Sequence, residues 1–186
     1  KFPHYADVMQ KACKRLMEEV ESQRKLLAAE SGDLSVDISV VNTEEILSEI
    51  IGSFLFYDGS RKEQVIIDEQ TEGFEFDCDY SLLSRILTNM LKNAVEASAD
   101  GQEVLVKCSK QNGKAVFSVH NSSYIPMSFQ LQVFERSFTT KGVGRGIGTY
   151  SIRLFTEQYL NGRVWFESSE DNGTTFYVSL PLKALN

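Results

Sequence analysis

Two asparagines, Asn89 and Asn93, lie four residues apart on the polar side of a strongly periodic apolar segment. Asparagine is a poor residue for a helix interior. On a helix the two side chains project from one face, where their amides and the nearby Lys92 could converge on one ligand. A Mg²⁺ ion that bridges phosphates suits such a set, because Mg²⁺ prefers oxygen ligands and keeps several waters. Two solvated asparagines on an exposed face are the alternative, since the N-x-x-x-N spacing alone is weakly specific.

Glycines alternate in the run from Lys141 to Gly148, directly before a predicted helix. Glycine lets backbone N–H groups approach an anion closely, and a helix N-terminus stabilises an anionic group by about 0.3–1 kcal/mol. We therefore predict a phosphate-binding loop here. The run fits neither the dinucleotide-binding G-x-G-x-x-G pattern nor the Walker A order, in which the lysine follows the glycines. A flexible loop is the alternative, which four alternating glycines disfavour.

Apolar periodicity predicts the elements that must position these residues. The clearest helix spans residues 79–98, with Asp79 as its N-cap and apolar pairs recurring every four residues. Hairpins are predicted around Asn112-Gly113 and around Asp171-Asn172-Gly173. The other predicted elements are a strand over 36–40, a helix capped by Asn42, one or two strands within 63–76 and a helix over 148–160. This order predicts an α+β fold, a two-layer α/β sandwich with a mixed, mostly antiparallel sheet and helices on one face.

The first thirty residues are predicted to form one long helix. The segment from Phe2 to Glu30 contains no glycine, and its apolar residues recur at three- and four-residue steps. The apolar stripe is wider than a two-stranded seam requires, which favours a helix of a bundle. A helix packed on its own domain is the alternative. Because Ser31-Gly32-Asp33 ends the helix, we predict a helical part over 1–32 and a globular domain over 33–186.

Composition excludes several classes of protein. The chain has 186 residues and a net charge of −7, and no lysine–arginine cluster stands out, so nucleic acid is not an expected partner. The three cysteines show no C-x-x-C spacing, which argues against a zinc site or a disulfide framework and favours a reducing cytosol. No apolar run approaches the roughly 18 residues that cross a bilayer. A cytoplasmic location is therefore expected, with any membrane anchor of the intact protein upstream.

Several short motifs together resemble the GHKL superfamily of gyrase, heat-shock chaperone, histidine kinase and MutL ATPases. The segment 89–94 resembles the N-box, 134–141 is similar to the F-box and lid of the kinases, 144–148 to their lid glycine box, and 173–176 to the terminal G-T-x-F. Their order over roughly residues 36–182 resembles the ATP-binding catalytic domain of a bacterial two-component sensor histidine kinase. The resemblance implies a Bergerat-type ATP-binding fold, with residues 1–32 as the second helix of a dimerisation and phosphoacceptor hairpin.

The resemblance also implies roles for individual residues, with ATP and Mg²⁺ as cofactors. Asn93 would be the principal Mg²⁺ ligand, and Asn89 and Lys92 would be the catalytic residues near the phosphates. Hydrolytic members carry a glutamate where this chain has Asn89, and an amide cannot activate water as a carboxylate can, so phosphoryl transfer is favoured over hydrolysis. The implied nucleotide-binding residues are Asn89, Asn93, Asn121, Lys141, Gly144, Arg145, Gly146, Ile147, Gly148 and Thr174.

The box that reads adenine departs from the family pattern. Before Ile125-Pro126 the family has D-x-G-x-G, whereas here residues 121–124 are one residue shorter and contain no glycine. Asn121 stands in place of the aspartate, and its side-chain oxygen accepts a hydrogen bond without charge. This difference predicts a weaker adenine contact than a carboxylate would make.

The function that the resemblance implies is transfer of the γ-phosphoryl group of ATP to a histidine on an upstream dimerisation helix. The expected partners are a response regulator and a second copy of the protein, joined through upstream helices. Neither His4 nor His120 lies in an H-E-x-x-x-P motif, so the acceptor histidine is expected upstream of Lys1.

Two alternatives to this function are open. One is a degenerate nucleotide-binding or interaction module without kinase turnover. The other is a different superfamily member: a chaperone or repair ATPase, or an anti-sigma-type serine kinase. The long leading helix argues against the chaperone, the repair ATPase and the serine kinase. Asn89 in place of glutamate also argues against the chaperone and the repair ATPase.

Overall fold

The structure of this chain, a computed structural model, describes residues 2–58, 65–136 and 147–183. It forms two compact units, Lys1–Ser35 and Val36–Asn186. The first unit is a single helix, α1 (Phe2–Ser31), in agreement with the periodicity. Gly32 ends this helix with φ of +80°, while the Asp33 N–H donates to the Ala28 carbonyl at 2.8 Å. A residue with positive φ after the last helical turn is a common helix stop, and glycine adopts it at little cost.

Large apolar side chains lie exposed along α1. They are Met9, Leu16, Met17, Val20 and Leu27, each at least 60% exposed. Within the described ranges of the chain, no helix is both long enough and apolar enough to span a bilayer.

The second unit alternates helices and strands. In chain order its elements are β1 (Ile38–Asn42), α2 (Thr43–Asp58), β2 (Val65–Ile67), β3 (Glu75–Asp79), α3 (Tyr80–Ala97), β4 (Val104–Gln111), β5 (Lys114–Asn121), α4 (Met127–Gln130), α5 (Gly148–Leu154), β6 (Arg163–Ser169) and β7 (Gly173–Pro181). Five strands form one sheet in the order β2-β4-β5-β7-β6, in which only the β2–β4 pair is parallel. The predicted α+β class with a mixed, mostly antiparallel sheet is confirmed.

The two predicted hairpins are present. Asn112 and Gly113 join β4 to β5 with φ of +51° and +74°, the pair of positive values that a two-residue type I′ turn requires. In the second hairpin β6 pairs with β7, and Gly173 at the start of β7 has φ of +65°. These turns set the registers of β4 with β5 and of β6 with β7, and the separate pairing of β5 with β7 places Asn121 opposite Thr174.

Helix α3 is the centre of the domain core. Asp79 Oδ1 accepts a hydrogen bond from the Leu82 N–H at 2.9 Å, which confirms the predicted N-cap. Its apolar face packs on β4 and β5 and also contacts α2 and α5. The buried side chains of this face are Leu82, Leu83, Ile86, Leu87, Met90, Leu91, Ala94 and Val95. Asn89 and Asn93 lie outside this buried set.

Three features differ from the prediction. Strands β1 and β3 form a separate two-stranded antiparallel sheet. The predicted strand over 36–40 begins two residues later and runs to Asn42, whose Oδ1 then caps α2 by accepting from the Glu44 and Glu45 N–H groups. The last predicted helix is regular only to Leu154 and continues as a π-helical turn, Phe155–Tyr159. A π-helical turn leaves no mark on apolar periodicity over so short a segment.

Candidate functional site

The first part of the site lies where α3 faces the start of α5. Asn89 and Asn93 are half-buried on α3, one turn apart. A Cβ atom placed on Gly148 would lie 3.5 Å from Asn93 Oδ1 and 3.6 Å from Asn93 Nδ2. The Asn93 amide is therefore in van der Waals reach of the first residue of α5. Sequence reasoning predicted both features, and the fold brings them together.

The Asn93 amide nitrogen is buried and has no hydrogen-bond partner among the described residues. A buried N–H without an acceptor is unfavourable, and most such groups in folded proteins are paired. An acceptor from outside the chain, such as a phosphate oxygen, would satisfy it. The same amide offers an oxygen to a cation, so one side chain can serve both parts of a metal–phosphate ligand.

The Asn89 amide is held by a serine that sequence reasoning missed. Asn89 Nδ2 donates to Ser151 Oγ at 2.9 Å, and Ser151 Oγ donates to the Gly148 carbonyl at 2.8 Å. Ser151 is 1% exposed on α5. Its position one turn after the glycine run is visible in the sequence, but the pairing spans 62 residues and only the fold reveals it.

The second part of the site lies at the ends of β5 and β7. Asn121 and Thr174 face each other in the strand register and are only 3% and 2% exposed. Thr174 Oγ1 donates to the Ser123 carbonyl at 2.7 Å, and Asn121 Nδ2 donates to the same oxygen at 3.3 Å. The two residues that the resemblance assigned to adenine are thus both hydrogen-bonded to one backbone carbonyl of the shortened box.

Further hydrogen bonds hold the shortened box in place. Ser168 Oγ accepts from the Ile125 N–H at 2.8 Å and lies 2.8 Å from Thr174 Oγ1. Since the Thr174 proton is used on the Ser123 carbonyl, Ser168 must donate to Thr174. Ser123 Oγ donates to the Ala97 carbonyl of α3 at 2.6 Å. Sequence reasoning missed Ser123 and Ser168, because nothing local marks a serine that closes a network between distant strands.

The remaining predicted residues divide into two groups. Lys92 is exposed on α3, next to Asn93 in sequence, and Ile147 directly precedes α5. The predicted phosphate-binding residues Lys141, Gly144, Arg145 and Gly146 lie outside the described residues.

The two cysteines of the second unit have unreactive thiols, whereas Cys13 on α1 is exposed. Cys78 and Cys108 are buried, and burial, assisted by a nearby carboxylate, raises the pKa of each thiol to about 12, so both stay neutral. Among the described residues, no group of three or more His, Cys, Asp or Glu side chains could hold a metal. A cation at Asn93 would thus rely on amide oxygen, water and ligand oxygens, which is how Mg²⁺ is commonly bound with nucleotides.

Comparison with known proteins decides the family. The profile described as "Histidine kinase-, DNA gyrase B-, and HSP90-like ATPase" matches residues 78–184, which include both parts of the site. The chain belongs to this ATPase family. Residues 78–184 are therefore a nucleotide-binding domain of this type, as the N-box and glycine-box resemblance predicted.

The chain is similar to sensor kinases. It is 36% identical over 107 residues to the sensor protein DegM of Bacillus sp. (strain B21-2) and 30% identical over 118 residues to sporulation kinase C of Bacillus subtilis (strain 168). These matches cover 56% and 62% of this chain. The chain spans little more than a quarter of these relatives, 28% and 27% of their length.

Solved structures agree with this grouping. The catalytic domain of histidine kinase ThkA, in a nucleotide-free form, aligns with a TM-score of 0.69 and 26% identity, covering 80% of this chain and 97% of that one. The Acinetobacter baumannii histidine kinase AdeS aligns with a TM-score of 0.71 over 91% of this chain and 80% of its own, at 14% identity, which shows the shared fold. The predicted ATP-binding fold of histidine kinase catalytic domains is confirmed.

Proposed function

We propose that this chain binds ATP with Mg²⁺ and acts as the catalytic domain of a sensor histidine kinase, passing the γ-phosphoryl group to a histidine side chain. The observation that carries the proposal is the half-buried side chain of Asn93 beside Gly148. Its amide nitrogen, Nδ2, has no hydrogen-bond partner among the described residues. A metal–phosphate ligand would supply the missing partner. The kinase names of the relatives support the same reaction.

Asn93 is the proposed metal residue, and the phosphates are proposed to lie along the start of α5. The side-chain oxygen of Asn93 would bind Mg²⁺, which neutralises charge on the transferring phosphoryl group. Exposed Lys92 would approach the phosphates from α3. Residues Lys141, Gly144, Arg145, Gly146, Ile147 and Gly148 are proposed to bind the phosphates, and Asn121 and Thr174 are proposed to bind the base.

The surroundings of Asn89 support phosphoryl transfer over hydrolysis. Its amide donates to Ser151, and the Ser151 proton is donated to the Gly148 carbonyl. Neither an amide nor a hydroxyl that is already donating can take a proton from water at neutral pH. This hydrogen-bonded group therefore contains no general base for hydrolysis.

The proposed partners are a response regulator and a second copy of the protein. One structural neighbour, at 22% identity, is the histidine kinase ThkA in complex with the response regulator protein TrrA. The exposed apolar side chains of α1 support a role in a helical bundle, because a solitary helix rarely keeps such a stripe in water. We propose residues 1–32 as part of a dimerisation hairpin and 33–186 as the catalytic domain.

A degenerate nucleotide-binding module is the second candidate. The observation that favours it is the base-reading pair, since Asn121 and Thr174 both donate to the Ser123 carbonyl of their own chain. A pair occupied in this way contributes less to binding of a base. In that case the domain would bind nucleotide weakly and would not turn it over.

Calorimetric titration of the chain with a non-hydrolysable ATP analogue, in Mg²⁺ and in EDTA, tests the proposal. We expect Mg²⁺ to strengthen binding of the analogue by at least about tenfold in affinity. Asn93→Ala should remove this gain, because the metal loses its protein ligand. Thr88→Ala, an exposed substitution on α3, is the matched control and should keep the gain. Mg²⁺-independent binding in the parent would point to the degenerate module.

Labelling with γ-labelled ATP tests the reaction itself. We expect no acid-labile label on this chain, because neither histidine lies in a phosphoacceptor motif; His120 Nδ1 is hydrogen-bonded to Thr175 Oγ1 on the neighbouring strand. We also expect slow hydrolysis for lack of a base at Asn89. Label on His4 or His120, or rapid release of phosphate, would contradict the assignment.

A further inference from the structure

Ser151 joins the two structural parts of the metal–phosphate region. It lies one turn into α5, is 1% exposed, and makes one hydrogen bond to Asn89 on α3 and one to Gly148 on its own helix. The Gly148 residue it holds is the same one that lies against the Asn93 amide. Ser151 therefore contacts Asn89 directly and reaches Asn93 through Gly148.

The hydroxyl of Ser151 has one proton, and its use determines which way round Asn89 lies. That proton goes to the Gly148 carbonyl at 2.8 Å. Toward Asn89 the hydroxyl can then only accept, and in an amide only the nitrogen can donate. Asn89 Nδ2 must face Ser151, which leaves Asn89 Oδ1 without a hydrogen bond to Ser151.

We propose that Ser151 is a positioning residue that fixes Asn89 with its amide oxygen toward the Mg²⁺–phosphate group. This inference rests on the proposed function and assigns Asn89 a role in it. An amide can serve such a ligand in two ways, through N–H to a phosphate oxygen or through oxygen to the cation or its water. The bond to Ser151 favours the second, because it already uses one N–H of the amide and does not use the oxygen.

A purely structural role for Ser151 makes different predictions. A hydrogen bond that only tied α3 to α5 would matter equally with and without Mg²⁺. A bond that turns the amide oxygen toward the cation matters when the cation is present, because that oxygen binds the cation and forms no hydrogen bond with a phosphate oxygen. The dependence on Mg²⁺ thus separates the two roles.

Substitution Ser151→Ala allows the Asn89 amide to flip, which exchanges the positions of its oxygen and nitrogen. In the titration with the ATP analogue we expect affinity in Mg²⁺ to fall about three- to tenfold, the worth of one hydrogen bond, and affinity in EDTA to stay within about twofold. Ser109→Ala is the matched control: Ser109 is also buried and accepts an amide N–H, from Gln111 Nε2 at 3.0 Å, but it lies on β4 near the hairpin turn. It should leave both affinities unchanged.

The Asn89→Asp background gives a second, independent test. A carboxylate has two equivalent oxygens and cannot be turned the wrong way, so its usefulness to a cation does not depend on Ser151. In that background, adding Ser151→Ala should change Mg²⁺-dependent affinity by less than about twofold. An equal loss from Ser151→Ala in both backgrounds, or an equal loss in Mg²⁺ and EDTA, would overturn the orienting role.

The outcomes for the parent chain keep the two proposals distinct. If the parent shows no Mg²⁺-dependent binding of the analogue, the proposed function fails. If the parent binds in a Mg²⁺-dependent way and Ser151→Ala binds equally well, the function stands and the role of Ser151 is wrong. Circular dichroism and thermal melting of each variant show that the folded protein is being compared.

Discussion

The two ends of the site use the same residue type in opposite ways. At the metal–phosphate end, Asn93 Nδ2 is buried beside Gly148 with no partner among the described residues. At the base end, Asn121 Nδ2 donates to the Ser123 carbonyl, which also accepts from Thr174. One end lacks a hydrogen-bond partner that a ligand would provide, and the other has found its partner within the chain.

This difference indicates where binding energy should come from. A ligand that supplies an acceptor to a buried, unpaired N–H gains more than one that must compete with an existing hydrogen bond. We therefore expect the metal and the phosphates to dominate affinity, and the base to contribute less. The same difference separates the two asparagines in stability: substitution of Asn121 should destabilise the fold, and substitution of Asn93 should not.

The largest effect is expected from Gly173→Ala at the base end. Gly173 has φ of +65°, and an added Cβ would overlap the Asn121 carbonyl oxygen and lie 2.8 Å from Ser122 Cα. Both contacts are with backbone, so the strands themselves must shift. We expect a loss of about 3 kcal/mol in the free energy of unfolding, measured by urea denaturation.

Gly113→Ala is the control for backbone strain alone. Gly113 has φ of +74°, but an added Cβ would meet nothing within 4 Å. Its cost should be limited to the left-handed conformation, about 1 kcal/mol. Equal losses for Gly113→Ala and Gly173→Ala would mean that close packing of β7 on the shortened box does not contribute to stability.

An intermediate effect is expected from Asn121→Asp. In aspartate a carboxylate oxygen replaces the N–H that faces the Ser123 carbonyl, so a hydrogen bond becomes a repulsive contact in a buried position. We expect a loss of roughly 1–3 kcal/mol in unfolding free energy and no gain in affinity for the ATP analogue. Aspartate is the residue that the family resemblance predicts at this position, yet here the substitution should not help.

Asn121→Ala serves as the uncharged comparison for that experiment. It removes the same hydrogen bond without placing a charge beside a carbonyl, so its cost in unfolding free energy should be smaller. Tighter binding of the analogue by Asn121→Asp, in a protein as stable as the parent, would show that the Ser123 carbonyl does not hold the Asn121 amide.

The smallest effect on stability is expected from Asn93→Ala. Since Asn93 Nδ2 makes no hydrogen bond to the described residues, its removal breaks no such bond and relieves a buried, unpaired donor. We expect the unfolding free energy to change by less than about 0.5 kcal/mol in thermal or urea denaturation, despite the loss of Mg²⁺-dependent binding. A large destabilisation would show that Asn93 is part of the core and would remove the contrast between the two ends.

Local patterns predicted the parts of the molecule that depend on nearby residues. Helix α3, its Asp79 cap and both hairpins follow from periodicity, capping and turn residues, which act over a few positions. The placement of Asn89 and Asn93 on one face of α3 was predictable for the same reason. Such features carry their physical cause in adjacent sequence.

Features that join distant segments could not be predicted in this way. Ser151 meets Asn89 across 62 residues, and Ser123 meets Thr174 across 51. A serine is equally at home on a surface or in a network, so its type alone does not indicate a role. The separate β1–β3 sheet also depends on how segments pair in space, which alternation within one strand does not encode.

Helix α3 fixes the distance between the two ends of the site, because the Ala97 carbonyl at its C-terminal end anchors the shortened box. Ser123 Oγ binds that carbonyl, and Asn93 lies four residues earlier on the same helix. Four residues of an α-helix advance about 6 Å, a length that side-chain or loop changes hardly alter. The distance between Asn93 and the Ala97 carbonyl is therefore set by the helix and does not depend on the length of the box. A box that is one residue shorter can keep the two ends of the site at the same separation.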